Sequence, residues 1–116
     1  MTKNFQEITH AVSGSLRKFR ADMPEVMSGF GALAKSAMQG GVLDHKTKEL
    51  IALCLGVAGH CDACIGFHMQ ALVKAGATRA EVEEALAVAI YMGGGPSAMY
   101  AADALTAFEQ LTPASA

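Results

Sequence analysis

Two cysteines three positions apart, Cys61 and Cys64, stand in the segment His60-Cys61-Asp62-Ala63-Cys64-Ile65-Gly66-Phe67-His68. On a helix that spacing makes them neighbours, and at a helix N-terminus small adjustments permit a disulfide. His68 follows Cys64 by four residues. It therefore shares a face with Cys64 one turn on, where an imidazole can exchange a proton with the thiol. This favours Cys64 as the thiol that reacts first. Gly59 and His60 read as the end of the preceding helix, with Gly59 as its left-handed cap. The cysteines then fall in the first turn of the next helix, where free amides and the positive dipole end stabilise a thiolate. Asp62 opposes this, because its charge disfavours a thiolate nearby. The expected lowering of the thiol pKa is only partial, so the chemistry calls for a base.

Glu49 is the candidate that orients such a base. It precedes Cys61 by twelve residues. If the chain reverses at Gly59-His60, two helices pack as a hairpin. At about 1.5 Å per residue, Glu49 lies roughly 15 Å from the turn and His68 roughly 12 Å. The two side chains can then meet, directly or through water. A carboxylate paired with an imidazole orients it and raises its basicity.

The elements that position these groups are helical throughout. Phe5, Ile8, Val12, Leu16 and Phe19 stripe one face of a first helix. Asp22-Met23-Pro24 breaks it, and Pro24 opens a second helix carrying Met27, Phe30, Leu33, Ala34 and Met38. Gly40-Gly41 ends that helix. Asp44 suits the N-cap of a third, with Leu50, Leu53, Cys54, Val57 and Ala58 on its apolar stripe. A fourth runs from Cys61 to Ala75, with Ile65, Met69, Leu72 and Val73 inward, and Gly76 ends it. Thr78 and Glu81 form a capping box for a fifth helix, which carries Val82, Ala85, Leu86 and Ala89. After Gly93-Gly94-Gly95, Pro96 can open a sixth through Met99, Leu105 and Phe108. The tail Thr112 to Ala116 is expected to fray. The fold class is therefore all-α: a compact bundle of about six helices over residues 1–116, in one domain.

Composition bounds the function classes. Hydrophobic residues make up 52% of the 116 and charged residues only 17%. That is a low charged share for a small domain, so some helix faces are expected to be covered by other subunits, with Met23, Met27, Met38, Met92 and Met99 contributing. A net charge of -2 offers no footprint for nucleic acid. Arg17-Lys18-Phe19-Arg20 reads as a solvated face. No apolar stretch of about 18 residues predicts a membrane span, and no signal peptide is visible, which points to the cytoplasm. A close cysteine pair there means redox catalysis or metal rather than a structural staple. Cys54 reads as a core thiol.

Glu49, eleven residues, Cys61, two residues, Cys64, three residues, His68 resembles the active-site signature of alkylhydroperoxidase D-like proteins of the carboxymuconolactone decarboxylase superfamily. Lys48-Glu49-Leu50-Ile51-Ala52-Leu53, Gly76-Ala77-Thr78 and Glu81-Val82 are similar too, so the likeness spans about Leu43 to Leu105. The resemblance implies an all-helical subunit assembling into homotrimers or hexamers. It also implies a peroxidase: Cys64 attacks a hydroperoxide, Cys61 resolves the sulfenic acid, and a protein or lipoyl-type dithiol reduces the disulfide. His68 and Glu49 relay the proton, and His60 is a further candidate to assist. No cofactor or metal is implied. Many members carry a His between the two cysteines, where this chain has Asp62 and Ala63.

Two other classes stay open on the residues alone. One is the decarboxylation of a muconolactone-like acid, which needs no thiol pair. The other is non-enzymatic: a structural helical oligomer, with or without zinc on His60, Cys61, Cys64 and His68.

Overall fold

The computed structural model describes residues 2–113. They form six helices, α1 (Phe5–Asp22), α2 (Pro24–Met38), α3 (His45–Ala58), α4 (Asp62–Lys74), α5 (Arg79–Gly93) and α6 (Gly95–Leu111), and no strand occurs among the described residues. The expected all-α bundle is what is seen. The expectation for the end of the tail lies outside the described residues. Within them, the Thr112 hydroxyl donates to the Phe108 carbonyl at 2.6 Å.

The helix starts are fixed by local chemistry. The Asp44 carboxylate accepts from the Thr47 N–H at 2.8 Å. Thr78 and Glu81 satisfy each other's free amides in a complete capping box. Pro24 takes the first position of α2, where its missing N–H costs no helical hydrogen bond.

Helix α4 is the central element. It packs against α3, α6 and α1, while α5 closes on α6 and α3. Leu53 and Val57 of α3, Ile65, Met69 and Leu72 of α4 and Val82 and Leu86 of α5 form the core with Phe5. Each such burial contributes about 1.5–3 kcal/mol. Helix α6 meets the core through Ser97, Ala101, Ala104 and Ala107, whose small side chains permit close approach.

Three stripes behave differently from expectation. On α1 only Phe5 of the predicted stripe is fully buried, while Leu16 and Phe19 are exposed. On α6 the buried face is the small-residue one, so Met99 points outward and Leu105 and Phe108 are half-buried. On α2 nothing is buried at all: Phe30 is 64% exposed and Leu33 65%. Periodicity identifies an apolar face but not what covers it. Helix α2 touches only α1 and the edge of α3.

Candidate active site

Helices α3 and α4 pack as the expected hairpin. A Cβ added at Gly56 would stand 3.0 Å from the Cβ of Cys64, so the absence of a side chain there lets the two helices approach at the cysteine pair. The turn between them carries two hydrogen bonds: His60 N–H donates to the Val57 carbonyl at 3.1 Å, and Cys61 N–H to the Gly56 carbonyl at 2.9 Å. This is the Schellman pattern, which needs one left-handed residue. That residue is His60, at φ 56°, and not Gly59, whose φ is -85°. Gly59 lies one position too early for the hydrogen bonds the turn makes.

Cys61 is the N-cap of α4 rather than a residue within it. Its sulfur accepts from the Cys64 N–H at 3.2 Å. Cys61 and Cys64 form a disulfide, with their Cα atoms 5.2 Å apart. Both residues are half-buried, neither sealed in the core nor fully exposed. His68 follows one turn further along α4.

Glu49 reaches His68 from α3. The His68 Nδ1–H donates to Glu49 Oε1 at 3.1 Å, with Oε2 at 3.4 Å. A carboxylate on Nδ1 orients the ring and leaves Nε2 without this contact. The Glu49 side chain is only 5% exposed, against 31% for His68. A carboxylate that deeply placed needs its partner. The neighbouring lysines do not supply one: Lys46 pairs with Glu81 at 2.8 Å, and Lys48 donates to the Ala37 and Gln39 carbonyls.

His60 makes its ring contact with α6. It stacks on Tyr100 of α6, with centroids 4.6 Å apart and the planes 5° from parallel. Among the described residues no three His, Cys, Asp or Glu side chains gather to hold a metal ion. Cys54 sits apart, half-buried, its thiol donating to the Ala85 carbonyl at 3.2 Å. Burial pushes that thiol's pKa up, which disfavours its thiolate. It borders an apolar groove of about 380 Å³ between α3 and α5, lined also by Leu50, Ile51, Val88 and Met92. None of the groove's lining residues belongs to the sulfur pair or its Glu–His partners.

Sequence reasoning missed one cluster. Lys3, just before α1, bonds both Asp62 and Asp103 at 2.8 Å and lies 4.7 Å over the Tyr100 ring. No short-range spacing signals it, since Lys3 and Asp103 are a hundred residues apart.

The carboxymuconolactone decarboxylase family model matches residues 24–107. This chain belongs to the carboxymuconolactone decarboxylase family. An uncharacterized protein of Cupriavidus necator is 47% identical over 88 residues, covering 76% of this chain and 78% of that one. "Uncharacterized protein 4 in cox locus" of Paracoccus denitrificans is 34% identical, covering 71% and 74%. Among solved structures, the apo form of a family protein from Legionella pneumophila superposes with a TM-score of 0.92 at 57% identity, over 94% of this chain and 97% of that one. A family protein from Thermotoga maritima, for which a role in antioxidative response is suggested, gives 0.80 at 29% identity over 89% and 88%. These matches agree with the alkylhydroperoxidase D-like resemblance and the six-helix fold.

Proposed function

We propose that the chain is a thiol-dependent peroxidase working through Cys64, Cys61, His68 and Glu49. The observation that carries this is the placement of a half-buried disulfide pair at the N-terminus of α4, one turn from an imidazole held by a buried carboxylate. In the reduced protein, His68 takes the Cys64 proton, and the thiolate attacks one oxygen of a hydroperoxide. The O–O bond breaks, the alcohol leaves with a proton, and Cys64 becomes a sulfenic acid. The Cys61 thiol displaces water from that sulfur, giving the disulfide. A dithiol, carried by a protein or a lipoyl group, returns both cysteines to thiols and is itself oxidised. The suggested antioxidative role of the Thermotoga maritima protein agrees with this chemistry.

The N-cap hydrogen bond favours a thiolate on Cys61, whereas the shared face with His68 favours proton loss from Cys64. We assign the first attack to Cys64 because it has the base. His60, stacked on Tyr100 at the turn before Cys61, is kept as a residue that assists the pair.

Turnover of an organic hydroperoxide with a dithiol tests the proposal. Cys64→Ser and Cys61→Ser should each abolish it, and Cys61→Ser should leave a sulfenic acid on Cys64. Turnover surviving in both variants would overturn the peroxidase, and a sulfenic acid formed only on Cys61 would reverse the roles. Carbon dioxide released from a muconolactone-type acid by the double variant would favour the decarboxylase instead.

The active form we propose is a homo-oligomer, a trimer or hexamer. The bare apolar faces of α2 and of the α3–α5 groove support it. Light scattering should give a multiple of the 12.0 kDa chain mass, and a monomer mass would contradict it. We place the protein in the cytoplasm, where a thiol pool keeps the pair cycling. No helix among the described residues is long and apolar enough to cross a membrane. Recovery outside the cytoplasmic fraction would contradict that placement.

A further inference from the structure

Asp62 occupies the first position of α4, between the two cysteines. Alone, its charge would work against any thiolate formed there. It is not alone. The Lys3 ammonium lies 2.8 Å from Asp62 Oδ1 and 2.8 Å from Asp103 Oδ2. Lys3 is also fixed through its backbone. Its carbonyl accepts from Gln110 Nε2 at 2.7 Å, and the same carboxamide's oxygen accepts from the Phe5 N–H at 2.8 Å. Phe5 itself is fully buried. The strap ahead of α1 is thus pinned to Gln110 at Lys3 and again at Phe5. The bonds to Asp103 and then Asp62 raise the lysine's pKa above its ordinary value, so the cation persists across the range where thiols titrate.

We propose that Lys3 is a positioning residue for the cysteine pair: its pinned ammonium cancels the charge of Asp62 beside Cys61 and keeps the thiolates populated. This rests on the view that the pair works through thiolates. The titratable groups brought to this end of the bundle are Lys3 from the strap, His60 from the turn, Asp62 and His68 from α4, Glu49 from α3, and Tyr100 and Asp103 from α6. Among the described residues of this group, Lys3 is the one fixed cation. Asp103 and the Tyr100 ring hold it in place over Asp62, and Tyr100 in turn carries His60. Lys3, Asp62 and Asp103 are each about a third exposed, so salt screens the effect without abolishing it.

The test is the pH dependence of iodoacetamide alkylation in the fully reduced protein, with Cys61 and Cys64 read separately from Cys54 by mass spectrometry. At low ionic strength Lys3→Gln should slow alkylation of the pair near neutral pH about three- to tenfold and move its midpoint up by roughly half to one pH unit. Lys3→Arg should retain the wild-type profile. Asp62→Asn should alkylate at least as fast as wild type, and Lys3→Gln with Asp62→Asn should return to it. An unchanged profile in Lys3→Gln would overturn the proposal. So would a double variant as slow as Lys3→Gln, because the lysine would then matter only for holding the strap. Alkylation requires no peroxide, so a wild type lacking peroxidase turnover would sink the proposed reaction and leave this test readable.

Discussion

Helix α4 is entered and left through turns with the same hydrogen bonds. At its entry, His60 N–H and Cys61 N–H reach back to Val57 and Gly56; at its exit, Gly76 N–H and Ala77 N–H reach back to Val73 and Leu72. Each turn needs one left-handed residue. At the exit it is Gly76, at φ 79°, the residue that takes this conformation with no steric cost. At the entry it is His60, for which the same conformation costs about 1–2 kcal/mol. Stacking on Tyr100 offsets part of that, since an aromatic pair contributes about 0.5–1.5 kcal/mol. The difference lies in what each turn carries. The exit only reverses the chain. The entry also holds a sulfur pair, with the Glu49–His68 pair and the Lys3 cluster assembled around it, and there a side chain replaces glycine.

The sharpest way to break this comparison is through the Glu49–His68 pair at the entry end. Glu49→Gln should lower kcat/KM for an organic hydroperoxide by about 10²-fold, and His68→Ala by a similar factor. The double variant should lose little more than either alone, as expected of two groups acting as a unit. Fully additive losses would separate the two residues. Gly76→Ala, at the exit, should leave turnover unchanged.

Stability should show the reverse pattern. Gly76→Ala is expected to cost about 1–2 kcal/mol in urea unfolding, because alanine is forced into the left-handed region. His60→Gly should stay within about 1 kcal/mol of wild type, since relief of the backbone and loss of stacking oppose each other. A His60→Gly variant destabilised as much as Gly76→Ala would mean that the stacking matters more than the turn.

The smallest effect concerns the box that starts the helix after the exit. Lys46, and then the Thr78 N–H, hold the Glu81 carboxyl below the ordinary carboxylate range. A folded pKa depressed in this way contributes stability above the unfolded value and loses it as pH falls through the folded one. The advantage of wild type over Glu81→Gln should therefore be present at neutral pH and disappear in acid. A gap that persists in acid would contradict the pairing.

Much of this was legible in the chain because local rules wrote it. Asp44, Pro24 and the Thr78–Glu81 box each act within one turn, and each starts a helix where it should. The Glu49–His68 contact was legible because hairpin arithmetic places both residues at similar distances from the turn. What escaped depends on partners far along the sequence. Lys3 becomes part of the site only when α6 brings Asp103 and Tyr100 beside Asp62. The choice of His60 over Gly59 as the left-handed residue turns on a shift of one position in the turn's hydrogen bonds. The bare face of α2 carries the same periodicity as a buried one, so its pattern says nothing of its cover.

The most direct measurement is a cysteine-resolved titration of the reduced protein with one equivalent of an organic hydroperoxide. Two thiols per chain should vanish together, Cys61 and Cys64 should be recovered as one disulfide that a dithiol reverses, and Cys54 should stay reduced. A pair that remains as free thiols, or oxidation confined to Cys54, would contradict the claim that the entry of α4 is where this protein reacts.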